Sequence, residues 1–155
     1  MKIKIATLAA LVASLTFATA AEKIKAPNGG RIIHTVEPHA EFLVTKDKKV
    51  EVRFLDDAGK VVAPAAQTVT VVMGDRSAPT KLAFTKDGDK LVSDKVVAEG
   101  DNLPVVLTIK TTPDAKAVTE KFNLNLTDCP SCKGPEYACA CDHGGDEKGH
   151  DGHKH

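Results

Sequence analysis

All the cysteines of this chain lie close together near its end, spaced Cys129-x2-Cys132-x6-Cys139-x-Cys141. In CPSCKG two cysteines flank a tight turn, which brings both thiolates to one point, and Pro130 and Gly134 suit such a turn. The two side chains of Cys139-Ala140-Cys141 would diverge in a regular strand, but bent backbone lets them chelate one ion. Four thiolates at this separation fit a tetrahedral zinc or, as soft donors, Cu(I). His143, two residues beyond Cys141, offers a nitrogen that can replace one sulfur. Disulfides are the alternative, because four clustered cysteines pair with one another in an oxidising compartment, in any of three connectivities. The thioredoxin-like reading of Cys129-Pro130-Ser131-Cys132 is weaker, since that chemistry needs the head of a helix in a βαβ unit.

The histidines that follow favour metal. His150, His153 and His155 stand among Gly, Asp, Glu and Lys, a composition that attracts borderline ions such as Zn2+, Cu2+ or Ni2+ weakly and with low selectivity. Intervening Gly and Asp distinguish the segment from a purification tag.

The compartment decides between thiolate and disulfide. Lys2 and Lys4, an apolar run from Ile5 to Phe17 and the small-residue end Ala18-Thr19-Ala20 read as a secretory signal cut after Ala20. The run is too short to span a bilayer comfortably, so no membrane span is expected after cleavage. The mature chain is expected to be periplasmic or secreted. Removing residues 1–20 takes two lysines and no acid, leaving 19 basic against 21 acidic residues. That balance, with few aromatics and no Trp, excludes a basic nucleic-acid stripe and disfavours a stacking platform.

What must position the cysteines is a domain of short strands. Val50, Val52 and Phe54 alternate with polar neighbours in KVEVRFL, as do Val69, Val71 and Met73, Leu82 and Phe84, Val105, Leu107 and Ile109, and Phe122, Leu124 and Leu126. Phe42 and Val44 repeat the pattern. Polar turn clusters separate the runs, and Asp87-Gly88 is a strong hairpin dipeptide. No window carries an amphipathic helix. The expectation is an all-β, antiparallel immunoglobulin-like β-sandwich over 21–128. A small barrel is the competing architecture, disfavoured because Gly-rich corners are missing. Residues 129–143 then form a Cys-rich metal-binding module, and 144–155 a disordered His-rich tail with too little apolar surface to order itself.

Lesser candidates lie elsewhere. His34 and His39, with Glu37 and Glu41 nearby, could form a second site, although a strand histidine is more often surface or hydrogen-bonded core. Asn28-Gly29-Gly30 reads as a tight turn, not a phosphate loop, because no helix follows. Met73 fits a core position better than a copper thioether. Asn125-Leu126-Thr127 matches the N-glycosylation pattern. No Ser/His/Asp or paired-carboxylate arrangement suggests an enzyme.

The block APNGGRIIHTVEPHAEFLVTKDKKVEVRFLDDAGKVV resembles small exported bacterial β-sandwich proteins. It is also similar to segments near metal-efflux adaptor subunits, which share the Gly-Gly turn, a strand carrying Glu or His, and the Val50-x-Val52-x3-Asp56-x2-Gly59-Lys60 strand and turn. This chain has Asn28 where those segments often have His before Gly-Gly. The resemblance implies an envelope metal-handling context. The function expected is an exported metal-binding or metal-buffering protein using zinc or copper. The alternative is a non-enzymatic domain that binds another envelope protein, its cysteines disulfide-linked.

Overall fold

The computed structural model describes residues 24–132 and 134–139. These build an all-β structure of nine strands: β1 Arg31–Ile33, β2 His39–Val44, β3 Lys49–Leu55, β4 Val61–Val62, β5 Thr68–Met73, β6 Thr80–Asp87, β7 Lys90–Val96, β8 Leu103–Lys110 and β9 Val118–Leu124. All neighbours are antiparallel, in the order β1-β2-β3-β7-β6-β5-β8-β9, with β4 beside β3. Among the described residues no helix is long and apolar enough to cross a membrane.

The alternation read from the sequence is the alternation of burial along these strands, but Leu126, expected to continue it, lies beyond β9 and is exposed. Val50, Val52 and Phe54 of β3, Val69, Val71 and Met73 of β5, and Val105, Leu107 and Ile109 of β8 point into one core with Phe42, Leu82 and Leu124. One face of each strand is thereby removed from water while its polar partners stay outside. Asp87 pairs with Lys90, so the β6–β7 turn centres on Gly88 and Asp89, one residue later than the Asp87-Gly88 dipeptide suggested. Gly88 takes the positive φ, 62°, that such a turn needs.

The sheet is continuous and nearly closed into a barrel. β6 makes this possible by changing partners along its length. Thr80–Ala83 pairs with β5, whereas Phe84–Asp87 pairs with β7. At the change the Ala83 N–H would lose its ladder acceptor, and the Asp94 carboxylate accepts it instead at 2.9 Å. The corner therefore uses a side-chain acceptor and no glycine. Across the core, β3 and β7 slip register between Lys49 and Glu51. There the buried Ser93 hydroxyl accepts the Val50 N–H at 2.9 Å and donates to the Lys95 carbonyl at 2.7 Å.

The two ends of the path meet through side chains. Phe42 of β2 packs edge-on against Phe122 of β9, centroids 5.2 Å apart, and the Arg31 guanidinium lies 4.9 Å over the Phe122 ring. Thr35 donates to the Glu120 carboxylate at 2.6 Å. The segment following β9 docks beside this seam.

Candidate metal centre

Beyond β9 the chain doubles back on itself. Asp128 bridges Pro135, the Cys129 N–H donates to the Gly134 carbonyl at 2.7 Å, and the Glu136 N–H reaches the Thr127 carbonyl at 2.9 Å. A 3₁₀ turn, Glu136–Ala138, then carries the backbone into Cys139, whose N–H donates to the Glu136 carbonyl at 3.1 Å. The fold-back places Cys129 and Cys132 on one arm and Cys139 on the other. Asn125, the acceptor of the glycosylation pattern, donates its amide to Glu136 at 2.8 Å and so braces the two arms.

Tyr137 anchors this module to the barrel. Its ring is buried and meets Phe42 edge-on at 6.0 Å, and its hydroxyl accepts the Val44 N–H at 2.9 Å. Its carbonyl accepts Arg31 Nη1 at 3.2 Å. Burial, with the Glu41 charge adding to it, pushes the phenol above its ordinary range, so the hydroxyl stays protonated. The boundary expected after Asp128 thus precedes a residue that belongs to the core.

The sulfurs of Cys129, Cys132 and Cys139 offer ligand atoms all within 4.8 Å of one another, so these three cysteines could hold a metal ion. The Cys139 sulfur stands 3.1 Å from Cys129 Sγ and 3.2 Å from Cys132 Sγ. Both contacts exceed the roughly 2.05 Å of a disulfide bond. Tetrahedral zinc with Zn–S bonds of about 2.3 Å separates its sulfurs by about 3.8 Å, so an ion would spread this cluster by only about 0.6 Å. The Cys139 thiol, first of all, and then the backbone N–H of Ser131 hydrogen-bond the Cys129 sulfur and pull it from 9.0 down to about 6, against the opposing effect of burial. The Cys132 N–H and thiol contribute in the same direction. Backbone donors aimed at a sulfur stabilise its thiolate, the form that binds metal.

A cavity of about 540 Å³ opens beside the cluster, walled by Ile24, Arg31, His34, Pro135, Cys132 and Cys139. Two of the sulfur-bearing residues therefore face a space shared with the N-terminal arm. The remaining expected ligands, Cys141, His143, His150, His153 and His155, lie outside the described residues.

Glu41, expected beside the histidines, has a different place. It is fully buried, and its carboxylate accepts the Asn28 N–H and the Gly30 N–H at 2.9 Å each and the Asn28 side-chain amide at 2.8 Å. The Asn-Gly-Gly turn is thus the lid of a buried carboxylate and holds the arm that lines the cavity. Sequence reasoning missed Tyr137, although a lone aromatic in a Gly/Pro/Cys segment is the signal by which such an anchor can be found.

Neither a protein-family model nor a curated protein nor a solved structure matches the chain.

Proposed function

We propose that this chain is an exported, non-enzymatic protein that binds or buffers zinc or copper through its C-terminal cysteines. The convergence of Cys129, Cys132 and Cys139 carries the reading. The low pKa of Cys129 supports it, because the thiolate is the ligand. In this mechanism Cys141 and His143 supply further donors, and His150, His153 and His155 capture ions at lower affinity. The signal-like residues 1–20 support a periplasmic or secreted location.

The finer fold relationship belongs to the same reading. The division of β6 between two sets of partners supports an immunoglobulin-like sandwich, and the Asn28–Gly30 turn with the Val50–Lys60 strand and turn supports kinship with exported β-sandwich proteins and metal-efflux adaptor segments.

The competing function is an envelope interaction domain with oxidised cysteines, favoured by the short separation of the Cys139 sulfur from those of Cys129 and Cys132. Mass spectrometry of protein isolated from its own compartment, without reductant, separates the two. A metal adduct on the fully reduced mass is expected. A mass lower by four protons, with no adduct, means two disulfides and overturns the proposal.

A further inference from the structure

A different group of ligand atoms converges where β2 begins. His39 pairs with Leu55, the last residue of β3, so the antiparallel register sets it beside the turn that follows, Asp56 to Gly59. Within that turn Asp56 is occupied, accepting the Ala58 N–H at 3.0 Å and the Lys60 N–H at 2.8 Å. The exposed Asp57 carboxylate is what the turn presents. Glu37 reaches the same point from the loop between β1 and β2.

The orientation of the His39 ring follows from its contact. Nδ1 lies 3.0 Å from the Val36 carbonyl oxygen, which can only accept, so Nδ1 bears the hydrogen. With Nδ1 engaged by the backbone, Nε2 is the ring nitrogen left to meet a ligand. Nε2 is 3.7 Å from Glu37 Oε2, too long for a hydrogen bond, and Glu37, His39 and Asp57 each offer a ligand atom within 4.8 Å of the other two. One ring nitrogen and two carboxylates therefore converge on one point, where the two negative charges attract a cation. An Nδ1–H donated to a backbone carbonyl is also how metal-ligating histidines are oriented. The His34 ring supports His39 edge-on, centroids 5.5 Å apart.

We propose that Glu37, His39 and Asp57 form a second cation site, distinct from the cysteine cluster, for a borderline divalent metal such as Zn2+. One imidazole and two carboxylates suit such an ion, whereas the sulfur cluster prefers a softer one. His34 touches His39 and also lines the cavity walled by Cys132 and Cys139, so the two sites lie on either side of one histidine. The inference stands on nitrogen and oxygen donors and survives if the cysteines prove to be cross-linked.

The test titrates Zn2+ into the full mature chain and follows the His39 ring by NMR, a readout that the tail histidines do not move. A saturable shift of the His39 signals is expected. D57N, which alters only an exposed turn residue, and E37Q should each weaken that response at least about tenfold, with the amide spectrum otherwise unchanged. A His39 ring that titrates with pH but ignores Zn2+ has a proton as its only occupant and overturns the proposal. A zinc response undiminished in both variants also overturns it, because the carboxylates are then not ligands.

Discussion

The hydroxyl of Tyr137 accepts the backbone N–H of Val44 at 2.9 Å, joining the cysteine module to a strand 93 residues earlier. The position of Cys139, two residues on, is therefore tied to the core. Y137F removes the acceptor and leaves a half-buried N–H without it, at a cost of about 1–2 kcal/mol. Y137A empties the ring's site between module and sheet, costs about 3–5 kcal/mol, and should weaken metal uptake as well. Urea denaturation with a parallel zinc titration checks both. An unchanged midpoint for Y137A would mean that the module does not pack on the barrel.

Gly30 is required by a close approach. A Cβ there would meet the Phe42 carbonyl and come within 2.9 Å of Glu41 Cγ, and backbone cannot yield as a side chain can. G30A should cost about 2–4 kcal/mol, and E41A a similar amount by leaving the Asn28 and Gly30 amides without their buried acceptor. E41Q should be milder, because the Asn28 amide can flip to offer its oxygen to the new NH2. Thermal melts of the three variants give the ranking. E41Q as damaging as E41A would show that the charge, not the acceptor geometry, holds the turn.

Ser93 provides a sharper test of the same reasoning. Its oxygen is the acceptor for Val50 at the register slip between β3 and β7. S93A deletes one atom and creates almost no cavity, yet should cost about 1–3 kcal/mol because a buried N–H loses its partner. A loss below a few tenths, measured by denaturant titration, would place that N–H in contact with water.

The strands were legible because each buries one face, and period-two alternation in KVEVRFL or TVTVVM records that burial directly. The path of the sheet was not. A corner was sought in glycines, but β6 turns it by changing partners at Ala83, with Asp94 supplying the missing acceptor from another strand. Glu41 reads as an outward strand residue in HAEFLV, and it is buried only because the arm at Asn28–Gly30 lies over it. Asp57 was invisible as a ligand for a related reason: its neighbourhood with His39 comes from the β2–β3 register. The cysteine cluster was legible because C-x2-C spacing is local, whereas its anchor, Tyr137, sits in a segment with no periodicity to mark it.

The Cys129 thiol predicts a pH signature of the metal-free, reduced protein. Its pKa is lowered from 9.0 to about 6 on folding, so the folded state binds the thiolate more favourably than the unfolded state does. The resulting stability is fully present above about pH 9 and is lost as pH falls through about 6, so stability should rise across that window. Cys139 is the largest cause of the shift, and C139A should return the Cys129 titration toward its ordinary value and flatten the rise. Thiolate ultraviolet absorbance against pH, with chelator and reductant present, reads the ionisation, and melts in the same buffers read the linkage. Zinc uptake should show the same dependence, falling as protons compete for sulfur below about pH 6. A wild-type titration with no thiolate step near pH 6, or one unmoved by C139A, would remove the thiol contact as the cause.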